Sequence, residues 1–445
     1  MREVELRRSL GLLDATMINV GTIIGSGVFM AASPIAQLLA SPPLQLFVWL
    51  VAAAFSLAGA LTIAELGAAL PRAGGMFVYL SEAYGPLWGF LYGWAECTVI
   101  LGAGNAAVAV LFAAYLGHFV PLGPLGIKLC AVGCIGGLTL LNVLGVREGV
   151  FAQNLMTLAK MGLCAALAAV AFGSRVGAWS HLAPTRAGVA AGAGMVSSSA
   201  FAAALLQPLW SFDGWVYAGC VGSEIKRPGR NLPLATIGSV LIVTALYLAL
   251  NAAYLFVLGT GGVARSSLVA ADTAAAVLGS AGAGLASLLV MLAVLGSLNG
   301  GVITGPRVLY AMAREGLFFR VAERVHPRFA TPAVALLVLG VWSAALVFTG
   351  RYEQLLTCAL VVAWLFYGLS AAAVLVLRRR RPELERPYRA WGYPVVPILF
   401  LGFTAAFLVH TLATDPRDAA LGGGLVASGL LPYLVWRRRR QPLAR

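Results

Sequence analysis

Long apolar runs, separated by short polar or basic joints, dominate the chain. Twelve such runs lie at about 11–40, 45–70, 86–116, 125–145, 152–173, 199–223, 234–259, 275–300, 332–350, 354–377, 394–413 and 419–436. Each reaches the roughly 17–25 residues that carry a helix across a bilayer. The pattern predicts an all-α polytopic membrane protein with twelve transmembrane helices. The joints carry turn chemistry: Pro71-Arg72-Ala73-Gly74-Gly75 closes span 2, Gly85-Pro86 opens span 3, and Pro233 precedes span 7.

Two spans are poor candidates for continuous helices. Span 1 contains Gly21-Thr22-Ile23-Ile24-Gly25-Ser26-Gly27-Val28-Phe29, three glycines and a serine at mid-span. Unwound backbone at membrane depth is tolerated only where protein buries it or where it lines a cavity. Free N–H groups at the start of the second half-helix, with its dipole, suit a carboxylate. Free carbonyls ending the first half suit an ammonium. An amino acid carries both groups, so the break reads as a substrate site.

Span 6 contains the second break, Gln207-Pro208-Leu209-Trp210-Ser211-Phe212-Asp213-Gly214-Trp215. Proline removes a backbone donor, and a lone Asp213 is costly against lipid. The two breaks open two five-span halves, about 11–173 and about 199–377, with about 394–436 outside them. Interrupted helices in corresponding positions point to an inverted-repeat transporter, helices 1 and 6 discontinuous and the site at the midplane. Residues 1–445 then form a single transmembrane domain.

Composition agrees: 60% of the 445 residues are hydrophobic and 11% charged, which excludes a soluble domain. No cleavable leader is expected ahead of span 1. With the N-terminus placed in the cytoplasm, 24 of the 31 Lys and Arg fall in inner joints and 6 in outer ones, Lys160 lying within span 5. The positive-inside rule then puts both termini inside, in the cytoplasmic (inner) membrane. The net charge of +14 is topogenic and faces anionic lipid rather than nucleic acid. Six cysteines lie in apolar segments without CxxC spacing, and four histidines are far apart. Neither a metal site, a cofactor nor a nucleophile–base pair emerges, so an enzyme is not expected.

Polar residues at membrane depth default to functional or paired roles. Glu65 in span 2 and Glu96 in span 3 fit either a pairing with a neighbouring span or a part in transport. Lys160 is one of only three lysines against 28 arginines. A compact ammonium that can lose its proton is one reading of it, and a snorkelling lysine is the other. The segment from Arg307 to Arg328 interleaves basic with apolar residues and reads as an amphipathic helix on the inner lipid surface. Arg378 to Pro394 and Arg437 to Arg440 read as basic anchors.

Residues 11–40, 153–164, 207–233, 295–316 and 378–397 resemble the amino acid–polyamine–organocation superfamily and, within it, the L-type amino acid transporters. The motifs that carry the resemblance are Gly-Thr-Ile-Ile-Gly-Ser-Gly-Val-Phe at 21–29, Trp-Ser-Phe-Asp-Gly-Trp at 210–215 and Glu-Ile-Lys-Arg-Pro-Gly-Arg-Asn-Leu-Pro at 224–233. Ala-Arg-Glu-Gly at 313–316 and Arg-Pro-Glu-Leu-Glu-Arg-Pro-Tyr at 381–388 add to them. The resemblance implies a LeuT-like fold of 5+5 inverted repeats with spans 11 and 12 outside the repeat. It implies that Gly25, Ser26 and Gly27 bind the substrate carboxylate through backbone N–H groups, and that carbonyls near Ile23 and Trp210 take the ammonium. It makes Trp210 the aromatic that closes over the substrate, where the family commonly has Phe. It puts Ser211 and Asp213 at the site, although eukaryotic members often have Gly in place of Asp213. Lys160 matches the lysine that stands in for a sodium ion and bridges spans 1 and 8, with Ser297 as its span-8 partner. Eukaryotic members join a single-span glycoprotein through a cysteine between spans 3 and 4. The loop Gly117 to Ile127 has none, so no disulfide-linked heavy subunit is expected.

These readings describe a sodium-independent exchanger of small or medium neutral L-amino acids working by alternating access. Proton-coupled symport and a cationic amino acid or polyamine substrate stand as alternatives. A non-transporting amino acid sensor on the same fold is the rival of another class.

Overall fold

The computed structural model describes residues 6–117, 119–184, 197–350, 352–414 and 416–439. Among them all regular elements are helical, joined only by the isolated bridges Leu10–Ile225 and Ala73–Val221. Ten helices are long and apolar enough to cross a membrane: Leu12–Met30, Pro42–Ala69, Pro86–Leu116, Pro124–Leu144, Val146–Gly173, Pro228–Arg265, Gly284–Arg314, Cys358–Arg380, Val395–Thr414 and Ala419–Arg438. The 17-residue helix Ala333–Thr349 and the shorter Ser198–Ser211 occupy the ninth and sixth of the twelve expected positions. Prolines at the first helical turn start the helices at Pro42, Pro86, Pro124 and Pro228, where a missing N–H costs nothing.

The first and sixth crossings are the interrupted ones. Span 7 runs along spans 1 and 2, and span 8 packs against spans 1, 3 and 5. The interruptions therefore sit at the centre of the bundle, away from lipid.

On the face that carries the N-terminus, backbone and ionic ties close the bundle. The N–H groups of Ser9 and Leu10 donate to the Glu224 carbonyl at 2.9 and 3.0 Å, and Lys226 N–H donates back to Leu10 at 2.8 Å. Arg307 donates to the Glu224 carboxylate through Nε at 2.9 Å and Nη2 at 3.2 Å. Both side chains are fully buried. This corrects the amphipathic surface helix expected from Arg307 to Arg328. The helix of span 8 continues to Arg314, because Arg307 finds a carboxylate inside the bundle and need not reach lipid head groups. Glu65 is likewise paired: Arg378 donates to it at 2.9 and 2.6 Å, Arg386 lies at 3.3 Å, and the Ala390 N–H donates at 2.6 Å.

Breaking a buried ion pair by removing one partner leaves a naked charge. Arg307→Met is therefore expected to destabilise the protein by about 3–5 kcal/mol, while Arg307→Met with Glu224→Leu recovers much of the loss. Thermal unfolding in detergent compares the two variants; equal losses would show that the pair is not the source.

Candidate substrate site

Span 1 is helical from Leu12 to Ile23 and resumes at Gly27. Ile24, with ψ at 84°, leaves the helix, and Ala31 keeps helical angles so that the second half runs on through Ala32–Leu38. In an unbroken helix the carbonyls of residues 21 to 24 would accept from N–H groups four residues on. Here each finds a substitute. Lys160 Nζ donates to Gly21 at 2.5 Å and Ile24 at 2.6 Å, and reaches span 8 at the Ala293 carbonyl, 3.2 Å away. Ser297 Oγ donates to Thr22 at 3.2 Å. The Ile23 carbonyl accepts from the Tyr247 hydroxyl at 3.0 Å and from Gly25 N–H at 2.8 Å.

Lys160 is completely buried and all three ammonium donors are used, which excludes the snorkelling alternative. Its expected partner in span 8 is corrected: the ammonium meets the Ala293 carbonyl, not the Ser297 hydroxyl. Ser297 lies one helical turn further on, level with Thr22, and ties spans 1 and 8 by its own bond.

Span 6 is helical over Ser198–Ser211, and short 3₁₀ turns follow at Tyr217–Cys220 and Gly222–Glu224. The unwound stretch therefore begins at Phe212, one turn beyond Pro208, which remains inside the helix. Gly214 adopts φ +123°, and a Cβ there would lie 2.9 Å from the Ile23 nitrogen. Only glycine lets the two breaks approach this closely. The Tyr247 hydroxyl is 3.0 Å from both the Ile23 and the Ser211 carbonyls, so one proton serves the two breaks.

Between the breaks lies a cavity of about 110 Å³. Ile23, Gly25, Ser26, Gly27, Trp210, Ser211, Asp213 and Ser297 all line it. Lys160 stands behind span 1, outside the cavity wall. Ser211 Oγ donates to Gln207 at 3.0 Å, and Asp213 accepts from the Tyr367 hydroxyl. The Ile23 carbonyl already holds two hydrogen bonds. The Trp210 carbonyl accepts one, from Asp213 N–H at 3.1 Å, and keeps a lone pair. Of the two carbonyls expected to take an ammonium, Trp210 can do so directly, and Ile23 only by exchanging Tyr247.

Sequence reasoning missed Tyr247, Tyr217, Gly104 and Asn105. Tyr247 looks like any tyrosine in an apolar run. Gly104 and Asn105 reach the cavity beyond a π-helical turn at Glu96–Ile100 in span 3, which resets the register of that helix, and Tyr217 reaches it from the 3₁₀ turn after the second break. Glu96 was the only visible signal: it is buried, its polar neighbours are Asp213, Tyr217 and Tyr92, and its Oε1 has no hydrogen bond among the described residues. No group of metal-binding side chains occurs among the described residues.

A small cavity walled by two interrupted helices at the centre of a helical bundle defines the class: a membrane transporter. Comparison with known proteins specifies it further. The chain belongs to the amino acid permease family, whose profile matches residues 10–431. It is 33% identical over 438 residues to the serine/threonine exchanger SteT of Bacillus subtilis (strain 168), covering 98% of each chain. It is 31% identical to the human b(0,+)-type amino acid transporter 1, over 98% of this chain and 89% of that one. The human large neutral amino acids transporter small subunit 2 is also 31% identical, over 97% and 81%. The protein is a multi-pass amino acid transporter.

The glycines of the first break are expected to differ. A Cβ on Gly25 meets only the Ser297 side chain, Oγ at 3.4 Å and Cβ at 3.6 Å, whereas one on Gly27 would lie 2.9 Å from the Ser211 Cα. Gly25→Val should leave folding intact and weaken substrate binding more than the tenfold that 1.4 kcal/mol represents. Gly27→Val should also separate spans 1 and 6 and lower stability. Binding and thermal unfolding, measured on both, check the contrast. At Gly104 a Cβ meets nothing within 4 Å, so Gly104→Val should fold normally and exclude the larger substrates, read from competition by amino acids of increasing size.

Proposed function

We propose that the protein is a sodium-independent secondary transporter that exchanges small or medium neutral L-amino acids by alternating access. The observation that carries this reading is the Lys160 ammonium, held by carbonyls of spans 1 and 8 at 2.5–3.2 Å. It supplies a tethered ammonium at the joint between an interrupted helix and its neighbour, where a coupling ion would otherwise be needed. A cavity of about 110 Å³, well below the roughly 300–1,000 Å³ of drug-sized sites, favours a small side chain. The name of the similar Bacillus subtilis protein, a serine/threonine exchanger, supports the same range.

In this reading the backbone N–H groups of Ser26 and Gly27, joined by that of Gly25 once it leaves the Ile23 carbonyl, take the carboxylate, while the Trp210 carbonyl and, after Tyr247 moves, the Ile23 carbonyl take the ammonium. Trp210 closes the cavity from the outer side. The halves at about 11–173 and about 199–377 form the inverted repeat, and both termini lie in the cytoplasm. The loop between spans 3 and 4 carries no cysteine, so no disulfide-linked subunit is proposed. Asp213 at the cavity wall supports a second reading, a cationic substrate, because its carboxylate lies within the site.

Proteoliposomes test the proposal. Uptake of labelled serine should require internal amino acid, survive replacement of sodium by choline, and exceed uptake of labelled arginine. A sodium requirement would refute the role of Lys160; binding without flux would identify a sensor; preference for arginine would favour the Asp213 reading. Gly296→Ala is a second test, because its Cβ would lie 3.0 Å from Lys160 Nζ. It should slow exchange as Lys160→Ala does. Lys160→Arg should not restore the rate, since a planar guanidinium does not fit so closely filled a site.

A further inference from the structure

Spans 6 and 7 are joined away from the central cavity. A groove of about 660 Å³ opens there, lined by Arg227, Arg230, Leu234, Ile237, Pro387 and Tyr388 among others. Arg227 sits in the left-handed conformation, φ 46°, uncommon for a residue with a side chain, and Pro228 then starts span 7. The groove has a rigid back wall: a Cβ on Gly229 would lie 2.8 Å from Pro387, and the Tyr388 hydroxyl is occupied by the Leu61 carbonyl at 3.2 Å.

The two arginines are exposed, and among the described residues neither makes an ion pair. Elsewhere on this face arginines have carboxylates: Arg72 and Arg381 pair with Glu82, Arg378 with Glu65 and Arg307 with Glu224. No acidic residue lines the groove. Its floor is apolar and continues along one helical stripe. Arg230, Leu234, Ile237 and Leu241 follow at helical spacing, with Leu234 46% and Leu241 53% exposed. Span 7 crosses the membrane, so that stripe faces acyl chains. Basic groups sit at the head-group level, directly above an apolar track.

We propose that this groove binds an anionic phospholipid, its phosphate on Arg227 and Arg230 and one acyl chain along Leu234, Ile237 and Leu241. Charge complementarity selects the head group, and the apolar track selects a lipid over free phosphate. The site lies apart from the transport cavity and does not depend on the substrate assigned to it.

Native mass spectrometry of the full-length protein in detergent, titrated with phosphatidylglycerol or phosphatidylcholine, tests the assignment. Wild type should retain phosphatidylglycerol in preference to phosphatidylcholine. Arg227→Gln with Arg230→Gln should weaken that retention about thirtyfold, from the typical attraction of a basic side chain to an anionic lipid. Arg230→Gln alone, in regular helix, should weaken it about fivefold and keeps the test readable if the double variant does not fold. Arg320→Gln, at an exposed arginine outside the groove, should change nothing. Retention by the double variant equal to wild type would overturn the proposal. So would an equal preference for phosphatidylcholine, an equal loss in Arg320→Gln, or displacement of the lipid by millimolar inorganic phosphate.

Discussion

The structure depends on how the carbonyls of a broken helix are satisfied without water. A carbonyl left unpaired in hydrocarbon costs several kcal/mol, and span 1 exposes four, from Gly21 to Ile24. Three other spans supply the donors: Lys160 from span 5, Ser297 from span 8 and Tyr247 from span 7. The break is thus also the hub that joins four spans. A cavity can exist beside it only because the carbonyls are already held, which leaves the first N–H groups of the second half-helix at the cavity.

The same economy governs the charged groups inside the bundle. Lys160 spends its ammonium on carbonyls, Glu224 meets Arg307, and Glu65 meets Arg378 and Arg386. Two of these pairings fasten spans 6 and 8, and spans 2 and 10, near the face where the chain starts. Opening that face would require separating the backbone ties of Ser9 and Leu10 to Glu224 and of Lys226 to Leu10, whereas the Glu224–Arg307 pair joins the two elements behind them.

Most of the candidate site was legible because its chemistry is local. Glycine clusters, a proline before a break and a lysine in an apolar run each violate what lipid demands of a helix, and each violation marked a real feature. Tyr247 violates nothing. It matters only because the fold carries its hydroxyl to within 3.0 Å of two carbonyls from different breaks. Arg307 misled for a related reason: interleaved basic and apolar residues look the same whether the partner is a lipid phosphate or a buried carboxylate 83 positions away.

The sequence by itself determined the apolar runs, the two interruptions, and the residues of those interruptions that border the cavity. These follow from rules that act within one helix: the length needed to span hydrocarbon, the conformational freedom of glycine, and the cost of an unpaired polar group. Only the tertiary structure decided which partner answers each of those costs. Whether Lys160 meets Ser297 or Ala293, whether the second break starts at Pro208 or Phe212, and how the π-helical turn turns span 3 toward the cavity depend on the relative placement of whole helices, and spacing along one chain carries no record of that.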